Sequence, residues 1–306
     1  MTRLASLDED VSTLPGQKKP ADTRCVNKPQ GTQRTRLWAV NASNQGFDAG
    51  SNGHSGTHGD AASRQTTPRI VPTGVIGFDA KLGRGFQSGS TLLVLAEASH
   101  APYVFCEQFA ATGLQRGEKV LYYSLDRPQS DARPRIQSLV GNGQAGAGLE
   151  FFDCYSQRFK GIDVSVLRRL GVHNHSPHLP KHLMARLLGL NHGQSFRLVL
   201  ESLSETIEVY GLAAGMDLLN QMSAVVRTMN GMAVVMMIRG EQPQSVEARA
   251  RHLADCVIEF GVDGHGPGLH TYLAISKLKA PEGEGQVLAY KIGGRGIVLD
   301  TYDRVV

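Results

Sequence analysis

The chain has 306 residues, 41% of them hydrophobic, and a formal net charge of +4. That length holds one large domain or two small ones, and the apolar fraction supports a real core. So mild a charge gives no global reason to expect nucleic acid, although a local patch is compatible with it.

Four cysteines, Cys25, Cys106, Cys154 and Cys256, lie far apart with no C-x-x-C spacing. Cys106 and Cys256 sit in apolar surroundings and read as reduced core residues, which points to a cytoplasmic protein rather than a disulfide-built one. No apolar run approaches the ~18 residues of a membrane helix. The first twelve residues lack the apolar stretch of a secretory signal. The expectation is therefore a cytoplasmic chain with no membrane partner.

Residues 1–68 are rich in Ser, Thr, Asn, Gln, Gly and Asp. They offer little to bury, so the segment is expected to be a disordered polar tail, with the ordered domain over 69–306. Arg34, Arg36 and Trp38 form a basic-aromatic island within it. Its plain reading is a solvated tail, and its sharper one a docking motif for a partner or RNA.

The segment from Thr73 to Ser90 has glycines at 74, 77, 83, 85 and 89, a density that marks tight turns with positive φ. Thr91–Ala96 follows as a strand. Pro102 suits the first turn of a helix running through Phe109 to about Gly117. Glu118–Asp126 reads as a second strand, and the alternation implies βαβ units and a parallel sheet. Residues 129–195 look less regular, with a third strand at Leu149–Ser156. His173–His182 holds four of the eleven histidines. Two prolines and no nearby carboxylate favour a surface loop over a zinc site, and no metal is expected.

Phe196–Glu205 reads as a buried strand segment reaching Glu201. A helix is expected over Gly215–Met229, with Met216, Leu219, Met222 and Val226 at helical spacing, a face better suited to core than to a cofactor. Gly231–Gly240 reads as a central strand. Leu253–Asp263 and Leu269–Ala280 read as antiparallel strands. Val287–Thr301 reads as a closing hairpin turned at Gly293-Gly294.

Five stretches, in order, resemble the KaiC-like branch of the RecA superfamily. TGVIGFDAKLGRGFQSGS from Thr73 is similar to the family's TG-x-x-x-LD-x-LLGGG-x-x-x-GS. GLQRGEKVLYYSLDRP from Gly113 is similar to GL-x-x-GEKVLYVSLEEP. LVLESLSE from Leu198 resembles a Walker B stretch. HLADCVIEF and the closing RGIVLDTYDRVV also match. The resemblance runs from about Ile70 to Val306. It implies an α/β, RecA-like core with a mostly parallel central sheet flanked by helices and with C-terminal antiparallel strands.

Residue by residue, the resemblance implies a nucleotide site that this chain does not complete. A phosphate-binding loop follows G-x-x-x-x-G-K-S/T, where backbone N–H groups wrap phosphate, Lys reaches the β/γ-phosphates and a hydroxyl meets Mg²⁺. In register the chain offers Ala96, Ala101, Pro102 and Tyr103. The catalytic carboxylate pair maps to Asp126 and Arg127, and the Walker B Asp to Glu201. Asp126 and Glu201 are thus vestigial catalytic candidates. Lys277 and Lys279 match basic residues that reach a neighbouring subunit's nucleotide. Charge-assisted hydrogen bonds contribute about 1.5–3 kcal/mol each. Losing the Lys and two loop contacts removes roughly 4 kcal/mol or more, on the order of a thousandfold in affinity.

The expectation is a non-catalytic, ring-forming scaffold or regulatory subunit without a cofactor, in a homo- or hetero-oligomer of RecA-fold subunits. Three alternatives stand beside it. One is an atypical ATPase using ATP and Mg²⁺, with Arg127 or a neighbour's Lys277 replacing the loop lysine. Another is an Elongator-like RecA-fold subunit. The third is a nucleic-acid-binding module acting through the tail and Arg168-Arg169.

Overall fold

The computed structural model describes residues 69–97, 99, 101–141, 148–158, 179–263, 270–278 and 285–300. The chain divides into two units, 1–61 and 62–306, and every described residue belongs to the second. The tail, Arg168-Arg169 and Lys279 lie outside the described residues.

In chain order the elements are β1 (Ile70–Val71), α1 (Phe78–Lys81), β2 (Phe86–Gln87), β3 (Ser90–Ala96), α2 (Ala101–Gln115), β4 (Lys119–Ser124), α3 (Gln129–Val140), β5 (Leu149–Asp153) and α4 (Cys154–Arg158). There follow α5 (Leu179–Leu188), β6 (Phe196–Glu201), α6 (Leu203–Tyr210), α7 (Leu212–Thr228), β7 (Met232–Ile238), α8 (Gln244–Leu253), β8 (Cys256–Asp263), β9 (His270–Lys277), β10 (Val287–Gly293) and β11 (Gly296–Leu299). β1 and β2 pair as a small ribbon. The other nine strands form one sheet in the order β11-β10-β9-β8-β3-β7-β6-β4-β5. From β8 to β5 neighbouring strands run parallel, while β9, β10 and β11 are added antiparallel. The parallel block is the one that the alternation of strands and helices implies, and the whole is the RecA-like α/β architecture that the resemblance implies.

Strand periodicity explains the two cores. Along β3, Leu92, Val94 and Ala96 face one layer, with α2 and the inner faces of β9–β11. Leu93 and Leu95 face the other, against α5, α6 and α7. All seven β3 residues are buried, as expected of a central parallel strand covered on both sides. The methionine face of α7 is core: Met216, Leu219, Met222 and Val226 all belong to the second cluster. Cys106 and Cys154 are free thiols, and both are buried, as is Cys256.

The glycine-dense stretch turns as its composition implies, with φ of 90°, 86°, 63°, 135° and 73° at Gly74, Gly77, Gly83, Gly85 and Gly89. At two of them the space is also taken. A Cβ on Gly74 would stand 1.8 Å from Thr112 Oγ1, and one on Gly85 would stand 2.3 Å from the Val71 carbonyl oxygen. The carboxylate of Asp79 accepts from the Thr73 and Gly74 amides at 2.8 and 2.9 Å, pinning this turn.

Several expectations need correction. The 129–195 region contains α3 and α5, whose amphipathic faces are short. The third strand ends at Asp153, whose Oδ1 accepts from the Ser156 amide at 2.7 Å and so caps α4. His182 lies on α5 rather than in a loop, with its Nδ1 3.2 Å from the Tyr123 hydroxyl. α6 and α8 also form, the former capped by Ser202 Oγ, which accepts from the Glu205 amide at 3.2 Å. β8 is antiparallel only to β9, because its other edge pairs parallel with β3. The last hairpin turns at Gly294-Arg295, since Gly293 pairs with Gly296.

Glu259 on β8 gathers two cations. It accepts from Arg251 Nη1 at 2.6 Å and also from Arg239. The Arg251 hydrogen bond above all, with Arg239 also contributing, holds its carboxyl down at about 2 against partial burial. A depressed carboxyl adds stability above its ordinary value and loses it as pH falls toward 2. Glu259→Gln is therefore expected to melt below wild type at pH 6, with the gap closing by about pH 2; a gap independent of pH would contradict this assignment.

Candidate functional site

The carboxyl ends of β3, β4 and β6 converge where ligands bind in open α/β sheets. Ala96 closes β3 and is fully buried. Ala101 and Pro102 open α2 and are buried as well. Pro102 is tolerated there because a helix's first amides have no internal partner, but it gives a phosphate neither charge nor N–H.

Glu201, the last residue of β6, is fully buried. Its carboxylate accepts from Arg127 Nε at 2.6 Å and Arg127 Nη2 at 3.1 Å. It also accepts from the Tyr122 hydroxyl, while Ser124 Oγ, 3.2 Å away, has its single hydrogen closer to the Arg127 carbonyl oxygen at 2.7 Å. Three donors thus converge on the Glu201 carboxylate, two of them from Arg127. Arg127 Nη1 lies 2.7 Å from Oε1 of Glu107, a wholly buried residue of α2. The other oxygen of Glu107 accepts from Arg135 Nε on α3 at 2.7 Å. The Tyr103 ring lies beneath the guanidinium, 4.7 Å from its carbon. Burial opposes the charge of Arg127, but the hydrogen bonds to Glu201, with Tyr122 and Glu107 nearby, raise its pKa above the ordinary value. Arg127 thus bridges two buried carboxylates, and two guanidinium groups balance them.

Asp126 faces the other way. Its Oδ1 accepts from Ser202 Oγ at 2.9 Å and its Oδ2 from the Tyr103 hydroxyl at 3.2 Å. Burial, then the charge of Glu201, pushes its carboxyl up to about 7, against the pull of the Ser202 and Tyr103 hydrogen bonds. Burial, then Asp126 and Glu201, raise the Tyr103 phenol. Tyr103 therefore serves as cover for Arg127 and donor to Asp126, a different task from a metal-facing hydroxyl.

Lys277 is engaged elsewhere. Its ammonium donates to the carbonyls of Arg251, His252 and Ala254 at 3.0, 3.1 and 2.6 Å, at the C-terminus of α8. Those bonds use its three donors and suit the negative end of a helix.

The structure brings Asp126, Glu201, Tyr103 and Arg127 together and places Lys277 apart. Sequence reasoning missed Glu107, Tyr122, Arg135 and Ser202. The available signal was Glu107, an acid directly after the apolar run Val104–Cys106 and within the helix expected there, since a buried carboxylate requires a cation. The residues present do not fit a Mg²⁺-bound triphosphate. The lysine and hydroxyl positions hold Pro102 and Tyr103, and both oxygens of Glu201 accept from Arg127, with Tyr122 donating to one of them as well. Among the described residues, no group of three or more His, Cys, Asp or Glu is placed to hold a metal ion. None of the described helices is long and apolar enough to cross a membrane.

The sheet order, parallel block and carboxyl-edge site define a RecA-like P-loop ATPase fold. The chain belongs to the KaiC ATPase family, whose model matches residues 71–303. No curated protein matches it. Among solved structures it is similar to the KaiC-like protein PH0186 from the hyperthermophilic archaeon Pyrococcus horikoshii OT3, at 18% identity and a TM-score of 0.55. It is also similar to the flagellar accessory protein FlaH from Methanocaldococcus jannaschii, at 17% identity and a TM-score of 0.56. Each likeness covers 76% of this chain and 100% of the other.

Two substitutions test the site. Arg127→Met leaves Glu201 and Glu107 facing each other without their shared cation, and is expected to cost about 3–5 kcal/mol in denaturant unfolding. A loss under about 1 kcal/mol would mean the bridge is not formed. Asp126 binds its proton more tightly folded than unfolded, so wild-type stability falls as pH rises from about 4 toward 7. Asp126→Asn removes that slope and is expected to gain on wild type by on the order of 2 kcal/mol between pH 5 and pH 8; parallel pH profiles would refute the raised pKa.

Proposed function

We propose that this chain is a non-catalytic member of its family, acting as a scaffold or regulatory subunit rather than hydrolysing ATP. The observation that carries the reading is the Arg127 guanidinium held by Glu201 and Glu107. It occupies the carboxylate that would otherwise serve a nucleotide's metal ion. Pro102 and Tyr103 remove the two side chains that catalysis on this fold relies on for the phosphates and Mg²⁺. The two replacement cations considered for an atypical ATPase are committed within the chain, Arg127 to the buried carboxylates and Lys277 to the end of α8. The proposed setting is cytoplasmic, in an oligomer of this chain alone or with other RecA-fold subunits. In support, Ile76 and Val298, joined by a parallel bridge at the sheet's antiparallel end, remain 60% and 38% exposed.

Equilibrium binding of a fluorescent ATP analogue with Mg²⁺, at near-physiological salt, tests the reading when the particle mass is recorded in the same sample. The expected result is no saturable binding up to millimolar nucleotide, with a mass that is a multiple of the 33.0 kDa chain. Micromolar binding would overturn the non-catalytic reading, and a monomer at working concentration would overturn assembly of this chain alone, leaving the mixed oligomer.

A further inference from the structure

A second charged cluster lies at the amino ends of the same strands. Arg197 is the second residue of β6 and Glu118 immediately precedes β4. At about 3.3 Å per residue, the four steps to Glu201 separate this cluster from the first by about 13 Å. The side chains of Arg197 and Glu118 are 0% and 3% exposed. The Glu118 carboxylate accepts from Arg197 Nε at 2.6 Å and Arg69 Nη1 at 3.1 Å, and Arg116 Nε lies 3.5 Å away. Three guanidinium groups share one carboxylate, leaving two positive charges unmatched within the cluster.

The remaining donors do not remove that surplus. Arg197 Nη1 donates to the carbonyls of Pro72 and Phe109 at 2.9 and 2.8 Å, and its guanidinium lies 4.5 Å from the Phe109 ring centre. Arg197 Nη2 and Arg69 Nη2 are both buried and have no hydrogen-bond partner. A buried donor is normally satisfied, and a buried charge normally paired. A water molecule would satisfy the N–H groups and leave the charge. The backbone makes room for this arrangement: a Cβ at Gly113 would stand 2.6 Å from Arg197 Cδ. The GLQRGE run, from Gly113 to Glu118, thus supplies the passage for Arg197, one rim cation and the central carboxylate. Arg69 and Arg116, 35% and 48% exposed, connect the cluster to solvent.

We propose that this amino-edge arginine cluster is a binding site for a small oxyanion of the phosphate type, with the solvent-reaching rim residues Arg69 and Arg116 as its contacts and the buried Arg197 supplying positive charge beneath them. A dianion with several acceptor oxygens matches both the surplus charge and the paired geometry of guanidinium donors, which a halide does not. The site is independent of the carboxyl-edge reading.

The test is thermal melting of the full chain in inorganic phosphate against chloride at equal pH and ionic strength, with ³¹P line broadening as the direct readout. Phosphate is expected to raise the melting temperature saturably, and chloride not to. The Arg69→Ala/Arg116→Ala double variant is expected to weaken phosphate binding at least tenfold, while Arg249→Ala on exposed α8 surface leaves it unchanged. Arg116→Ala alone gives the same comparison, with a smaller loss, if the double variant does not fold. Equal shifts in chloride and phosphate, or a phosphate effect unchanged in the rim variants, would overturn the site. The rim variants also separate the two edges, since ATP binding that survives in them belongs to the carboxyl edge.

Discussion

Two carboxylates that must not face each other unpaired, Glu107 and Glu201, set the terms for the carboxyl edge of this sheet. Both are wholly buried, one on α2 and one at the end of β6. Bringing them to one place in a low-dielectric interior requires a cation between them. Arg127 meets that requirement with its Nε and both terminal nitrogens, and Arg135 completes the charge balance from α3. The consequence is structural as well as chemical. The bridge ties α2, α3, β6 and the turn after β4 into one network, so the edge is ordered by its own side chains. A metal ion that took Glu201 as its ligand would have to displace that network first.

The two ends of the sheet differ in how their charges are settled. At the carboxyl edge two carboxylates meet two guanidinium groups, and both oxygens of Glu201 accept from Arg127. At the amino edge one carboxylate meets three guanidinium groups, and two buried nitrogens lack acceptors. The same β strands carry both clusters, yet only the second has unmet capacity for an anion. For a fold whose ligands are expected at the carboxyl ends of its strands, charge bookkeeping at these two ends points the other way.

The central strands were legible because burial on both faces leaves a plain apolar run, as in Leu92–Leu95 and Ala233–Ile238. The glycine-rich turn was legible because its φ values exclude most other residues. α3, α6 and α8 were not, since each is short or carries many polar positions and is fixed by packing and caps rather than by periodicity. For the site, Tyr103, Asp126, Arg127 and Glu201 were located through the resemblance, by register with the family's motifs. The sequence did not reveal that Arg127 turns inward to Glu107, because partners 20 residues apart meet only once α2 and β4 pack. Nor did it reveal that Lys277 is committed to the end of α8, since helix-terminal carbonyls become acceptors only when the helix exists.

The substitutions at the nucleotide-site positions make physical sense as a set. Relative to the motif this chain resembles, the positive charge at position 102 is absent and one appears at position 127. With Pro102 in place, the lysine position at the head of α2 brings no charge to offset Glu201, and a carboxylate at 127 would have added a further acid beside Glu201, Glu107 and Asp126. Arg127 reverses that sum. Its flat guanidinium needs an apolar surface to lie on, and Tyr103 provides a ring where a small hydroxyl would leave a gap. The Tyr103 phenol then needs an acceptor, which Asp126 supplies. Each departure from the motif meets a cost that another would otherwise leave, so Tyr103, Asp126, Arg127 and Glu201 hold together as one mutually paired set.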